Sequence, residues 1–128
     1  MLRLALPIYV LLITPFASPA AADERKVFYG TWGTAQQCAR APIKAGGTVL
    51  AEPFKINAGG LRQGLFWCRL RWFPVQKTDG DVFTGATAQC GEDGVRDYLM
   101  RMRLTNGELT LHWSLQQSTG PLARCPQS

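Results

Sequence analysis

The sequence predicts an all-β protein, a small antiparallel barrel or sandwich of six to eight strands. Three observations carry this. Runs of residues alternate between apolar and polar, the period of a half-buried strand. Glycine-containing turn tripeptides and dipeptides separate the runs. The registers that these turns impose also place apolar residues on one common face.

The pattern is clearest at residues 98–115 (YLMRMRLTNGELTLHWSL). Asn106-Gly107 suits a two-residue type I′ turn. With those residues at the tip, Leu104 faces Leu109, Met102 faces Leu111, Met100 faces Trp113 and Tyr98 faces Leu115. The other face carries Arg103/Thr110, Arg101/His112 and Leu99/Ser114. A slip of one residue would turn every apolar side chain outward, so the pattern sets the register.

The chain opens with MLRLALPIYVLLITPFASPAAADERK. Arg3, the apolar run at residues 4–16 and the small residues Ala20, Ala21 and Ala22 read as a secretory signal at residues 1–22, cut before Asp23. Pro7 and Pro15 make the run too short and broken for a span of about 20 residues, so no transmembrane segment is expected after cleavage. Residues 23–128 are then one disulfide-stapled β domain. The full chain carries 14 basic and 9 acidic residues, a net +5, and loses one positive charge with Arg3. That balance favours solubility and weak attraction to anions. Export, modest charge and the lack of a recognised motif argue against nucleic acid.

Residues 26–32 (KVFYGTW) read as the first strand, with Phe28, Gly30 and Trp32 on one face; Gly30 marks a bulge or a close approach of backbone. Residues 33–47 read as a loop holding Cys38, with a helical turn at residues 35–40. Residues 48–57 offer a second strand that Pro53 splits or confines to an edge, followed by a turn at Ala58-Gly59-Gly60. From Leu65 the alternation is strict, with Phe66, Cys68, Leu70 and Trp72 inward. Thr78-Asp79-Gly80 suits a three-residue hairpin loop, pairing Lys77 with Asp81, Trp72 with Ala86, Leu70 with Ala88 and Cys68 with Cys90. Pro74 is the weak point, since a bulge there would flip Val75 and the tip. Glu92-Asp93-Gly94 repeats the loop and pairs Ala88 with Tyr98 and Ala86 with Met100. The three turns agree on one four-stranded meander at residues 66–115. In the tail, Ser118-Thr119-Gly120-Pro121 reads as a turn and residues 122–125 as a short last strand.

Four cysteines in an exported chain read as two disulfides. Directly opposed strand residues lie within disulfide range, which predicts Cys68–Cys90 and leaves Cys38–Cys125. In the chain-entropy model these contribute roughly 3 and 4–5 kcal/mol. With no C-x-x-C pair and one histidine, the cysteines form no metal site, and no cofactor is implied.

Gly30-Thr31-Trp32 resembles the G-x-W signature of lipocalins and related calycin barrels. In those folds an arginine from the last strand packs across the tryptophan, and Arg124 stands suitably late. Small calycin-like protease inhibitors of secreted bacterial type are similar in length. The layout of signal, Trp-Gly, four spaced cysteines and a late Arg-Cys is also similar to small exported proteobacterial proteins, which implies a periplasmic or secreted location.

No catalytic constellation can be assembled. His112 is expected to face outward beside Arg101, with Ser114 and Ser118 near it on a flat face and no activating acid. Glu92, Asp93 and Asp97 read as turn formers rather than an acid/base pair. The expected function is an exported non-enzymatic binding module, a protein inhibitor among its forms. It would act through a loop or through an outer face of Trp67, Arg69, Arg71, Phe73, Arg101, Arg103 and His112, with Val75 and Phe83 near one tip, since arginine and aromatics are enriched at binding hot spots. The alternatives are a calycin-like carrier of a small apolar ligand and a weak binder of anionic envelope lipid or glycan. Against a carrier, Trp32, Trp72, Trp113, Met100 and Met102 could fill so small an interior. Non-reducing peptide mapping is expected to link Cys68 to Cys90 and Cys38 to Cys125; a Cys38–Cys68 or Cys38–Cys90 peptide would overturn the register behind that pairing.

Overall fold

The hairpin at Asn106-Gly107 forms in the register its apolar face requires. Strands β7 (Asp97–Thr105) and β8 (Glu108–Trp113) pair Met100 with Trp113, Met102 with Leu111 and Leu104 with Leu109. Asn106 (φ 52°) and Gly107 (φ 78°) both take left-handed conformations, as a type I′ turn demands. The computed structural model describes Val10 and residues 24–39, 52–91, 97–113 and 117–126. The expected signal and its cut before Asp23 lie outside the described residues (Val10 apart), as do residues 48–51 of the expected second strand, the Glu92-Asp93-Gly94 turn, Ser114 and Leu115.

Strands β4 (Phe66–Trp72), β5 (Gln76–Thr78) and β6 (Asp81–Cys90) correct one loop. The β5–β6 tip is a two-residue turn at Asp79 (φ 51°) and Gly80 (φ 85°), with Thr78 opposite Asp81 and Lys77 opposite Val82. It is not the three-residue loop that sets Lys77 against Asp81. The one-residue difference is absorbed at residues 73–75, where Pro74 lacks the N–H a ladder needs. Beyond that break Trp72 pairs with Ala86, Leu70 with Ala88 and Cys68 with Cys90, as expected. The β6–β7 register also follows the expectation, Ala88 against Tyr98 and Ala86 against Met100.

Before β4 stand β2 (Phe54–Ile56) and β3 (Gly60–Gln63). The second strand begins only after Pro53. Strand β3 has no counterpart in the sequence reading, because four residues between glycines carry too little alternation to show a period. Its turn is built by Asn57, whose Oδ1 accepts the N–H groups of Gly59 and Gly60, each at 2.9 Å.

The N-terminus departs furthest from expectation. Lys26–Phe28 form a 3₁₀ turn rather than strand, and β1 is only Gly30–Gly33. The carbonyls that a neighbouring strand would need are taken by side chains. Arg124 donates to the carbonyls of Tyr29 (2.7 Å) and Val27 (2.9 Å), and the Trp32 indole donates to that of Phe28 (2.9 Å). What approaches Gly30 closely is this guanidinium and not the backbone that the sequence suggested: with φ +134°, a Cβ there would lie 2.6 Å from the Arg124 Nη1. Helix α1 (Ala35–Ala39) follows with a capping box, the Thr34 hydroxyl accepting the Gln37 N–H and the Gln37 Oε1 accepting the Thr34 N–H.

The last strand, β9 (Gln117–Arg124), runs straight through the residues expected to turn at 118–121. It pairs with β8 across a register shift between Leu109 and Leu111. The Gly120–Pro121 bond is cis, and a Cβ at Gly120 would come within 2.7 Å of the Leu109 carbonyl oxygen. Pairing of β9 with β1, Trp32 against Arg124, joins the edges. Strands β4 and β5 run in turn along β6, so the architecture is a closed, eight-stranded, up-and-down antiparallel barrel. Both disulfides form as expected, Cys38–Cys125 and Cys68–Cys90. Bonds of this kind point to an oxidising, non-cytoplasmic location.

Trp32 is fully buried, and the Arg124 guanidinium carbon stands 4.2 Å from its ring centroid. Trp32→Ala is expected to lose about 3–5 kcal/mol in urea unfolding. Arg124→Ala should lose about 1–2 kcal/mol, and Arg124→Lys should not restore it, since one ammonium cannot serve both carbonyls. Full stability in Arg124→Ala would show that the seam closes without its side chain.

Candidate functional site

The two ends of the barrel are unlike. The 3₁₀ turn stands at the start of β1 and closes that end. Phe28 is fully buried and packs against Trp72 at 6.3 Å between ring centroids, with Tyr29 edge-on to Trp72 at 5.8 Å. The Trp72 indole donates to the Ala58 carbonyl at 2.9 Å, tying the end of β4 to the β2–β3 turn. Above this floor Trp32, Met100, Met102, Leu109 and Leu111 are buried. These residues fill the lower lumen, as the sequence suggested for Trp32, Met100 and Met102.

Among the described residues the filling stops short of the other end. A cavity of about 800 Å³ opens there, lined by the start of β2 (Phe54), the end of β3 (Gln63), the start of β4 (Phe66), Cys90, Tyr98 and Trp113, with Gln37, Gln117 and Thr119. Phe66 and Trp113 come from strands separated by β6 and β7, yet their rings meet edge-on at 6.4 Å, so the pair spans part of the mouth. Gln63 is buried, and its amide donates to the Glu52 carbonyl at 3.1 Å, which holds the side chain in the wall. None of the described lining residues is charged. Trp113 therefore lines a cavity instead of plugging one, and Trp72 belongs to the floor.

Sequence reasoning put Phe66, Tyr98 and Trp113 on the inner face without making them a site. Phe54, Gln63, Gln37 and Thr119 were not singled out. Pro53-Phe54 and Gln63-Gly64 carried the only usable signal, an apolar or amide side chain next to a strand breaker, and α1's contribution had none.

The residues expected to form one outer face lie outside the barrel but divide among three settings. Trp67 and Arg69 border a shallow depression with Lys55 and Arg62 on β2–β4. Arg101, Arg103 and His112 border a second, with Phe83, Leu99 and Ser118. Arg71 and Phe73 stand between these; Phe73 lies over Gly85, where a Cβ would meet its ring carbon at 2.9 Å. Arg103 is committed locally, to Asp81 at 2.8 Å and over the Phe83 ring at 5.5 Å. Asp97 makes no ion pair with Arg69, the two being set on either side of Gln89. His112 faces Arg101 on one side and Ser118 on the other. Among the described residues no three His, Cys, Asp or Glu side chains gather, and no helix is long and apolar enough to cross a membrane.

Set against protein-family models, curated proteins and solved structures, the chain matches none.

Proposed function

We propose that the protein is a non-enzymatic carrier that takes an uncharged, largely apolar small molecule into the open end of the barrel. One observation carries this: an aromatic-walled cavity of about 800 Å³, with no charge among its described lining residues, sits above a lumen that is otherwise packed. Small-molecule sites typically span about 300–1,000 Å³ and pair apolar walls with a few placed polar groups. Here the aromatics are Phe54, Phe66, Tyr98 and Trp113, and the polar groups are amides and a hydroxyl from Gln37, Gln63, Gln117 and Thr119. A charged ligand would enter with no counter-charge among the described lining residues, and burying an unpaired charge is costly.

The seam of Trp32 under Arg124 supports a calycin-like reading of the same barrel, in which the G-x-W strand and the last strand close the far end. We infer export through the leader at residues 1–22. The walls suit a carrier outside the cell, because the Cys68–Cys90 bond crosses β4 and β6 at the cavity's edge and keeps them from parting. A second reading, a protein- or inhibitor-type contact through the outer wall, is favoured by the depression that joins Arg101 and His112 to the exposed Leu99.

N-phenyl-1-naphthylamine, an uncharged apolar fluorophore, is expected to bind one-to-one with a saturable rise in emission. Phe66→Ala and Trp113→Ala should each weaken it about fivefold, the value of roughly 1 kcal/mol for a lost aromatic contact. Lys77→Ala, on the outer tip of β5, should leave it unchanged. No saturable uptake by the native protein, or equal uptake by all three variants, would sink the carrier reading.

A further inference from the structure

We propose that the open end docks on an anionic lipid bilayer through the tip of the β3–β4 hairpin, Gly64-Leu65-Phe66-Trp67. This deepens the carrier reading by naming the surface from which an apolar ligand would enter. Seven large apolar residues are exposed among the described residues, and three of them are consecutive: Leu65 at 84 %, Phe66 at 40 % and Trp67 at 38 %. They sit at the mouth of the cavity, which Phe66 itself lines. The other described two-residue hairpin tips, Asp79-Gly80 and Asn106-Gly107, are polar and lie at the closed end.

Cations stand behind the apolar tip. Lys55, Arg62 and Trp67 are successive cross-strand neighbours, and Arg69 lies opposite Gly60 on the same outer surface. All three cationic side chains are exposed, and none has a carboxylate partner among the described residues. Arg62 is about two residues behind Leu65, or roughly 7 Å at strand rise. The interfacial zone of a bilayer is of similar depth, about 5–8 Å on each side of the hydrocarbon. Read inward from the tip, the hairpin presents the aliphatic carbon of Leu65, then the Phe66 ring, then Trp67 level with Arg62 and Lys55, with Arg69 two residues further along β4. That order matches acyl chain, interface and anionic headgroup. Tryptophan favours the interfacial level, and basic residues near an anionic leaflet add attraction. A protein partner would need to offer the same layering on one flat surface; a bilayer offers it everywhere.

The test is co-flotation of the exported, disulfide-bonded protein with vesicles of phosphatidylcholine alone or with one quarter phosphatidylglycerol. Binding to the anionic vesicles is expected to exceed binding to the neutral ones at least tenfold and to fall severalfold between 0.1 and 0.5 M NaCl. Leu65→Ser/Trp67→Ser should lower it at least tenfold, and Arg62→Glu/Arg69→Glu should lower it at least fivefold. Far-ultraviolet circular dichroism and intact disulfides check that both variants are folded. Equal binding to the two lipid mixtures, or undiminished binding by the Leu65/Trp67 variant, overturns the proposal. So does a dimer in solution that the Leu65/Trp67 variant dissolves without any vesicle binding, which would assign the tip to a second copy. Naphthylamine uptake in lipid-free buffer should be unchanged in both double variants. If uptake is absent while docking persists, the carrier reading fails and the docking stands; if uptake persists without docking, the reverse holds.

Discussion

The structure depends on the contact of Arg124 with the first turn of the domain. Closing a sheet into a barrel requires the last strand to find the first, here across most of the domain, and such non-local pairings carry a large loop-closure cost. One guanidinium acts three ways at that junction. It stacks on Trp32 at 4.2 Å, and its two donor arms hold the carbonyls of Tyr29 and Val27. Because those carbonyls are occupied, residues 26–28 cannot extend β1. They coil beneath the barrel instead, which carries Phe28 under the lumen. The next residue continues the seam: the Cys125 N–H donates to the Thr31 carbonyl at 2.8 Å, and its sulfur is bonded to Cys38. Floor, seam and covalent staple are thus set by neighbouring residues.

The cavity at the opposite end follows from unequal walls. Strands β2 and β3 have three and four residues, whereas β6, β7 and β9 have ten, nine and eight. The low wall is where Phe54 and Gln63 stand. On the high wall the small β6 residues Ala86 and Ala88 are both fully buried and stand directly opposite Trp72 and Leu70. Small residues facing large ones let the lower lumen reach close packing. Nearer the mouth the lining residues are larger, with rings on both sides, and Phe66 meets Trp113 edge to face at 6.4 Å.

Legibility in the sequence followed the range of the physics. Wherever a turn lay between two alternating runs, as at Asn106-Gly107, residue order and register were readable, because period-2 burial penalises every slip at once. The Cys68–Cys90 bond was readable for the same reason. The tip at Asp79-Gly80 was misread by one residue because Pro74 interrupts the ladder on one strand only, and nothing local fixes the size of the resulting bulge. The turn at residues 26–28 was misread because Val27, Phe28 and Tyr29 are good strand formers; the side chains of Trp32 and Arg124, one of them far along the chain, override that preference. The cavity was not legible, since among the described residues it comes from the shortness of β2 and β3 beside the longer strands, which no local pattern announces. The outer arginines were placed correctly as outward-facing, but which would be neutralised, as Arg103 is by Asp81, depends on the shifted tip.

Turn chemistry explains why the open-end hairpin stands apart. At Asp79-Gly80 and Asn106-Gly107 each residue has a local reason to be present, a short polar side chain or glycine being what a positive φ tolerates. At the β3–β4 tip Gly64 already supplies the positive φ, at 59°. Position 65 therefore places no demand that a polar residue would fail to meet, and leucine there leaves nearly all of its side chain in water. The two residues that follow are also apolar and also exposed. Exposing such a cluster lowers solubility and contributes nothing to the floor, the seam or the packed lumen. Where a chain departs from its own local rules without structural gain, the departure marks a surface shaped by what it touches. That surface is the rim of the cavity, so the proposed contact and the proposed uptake fall on the same end of the barrel.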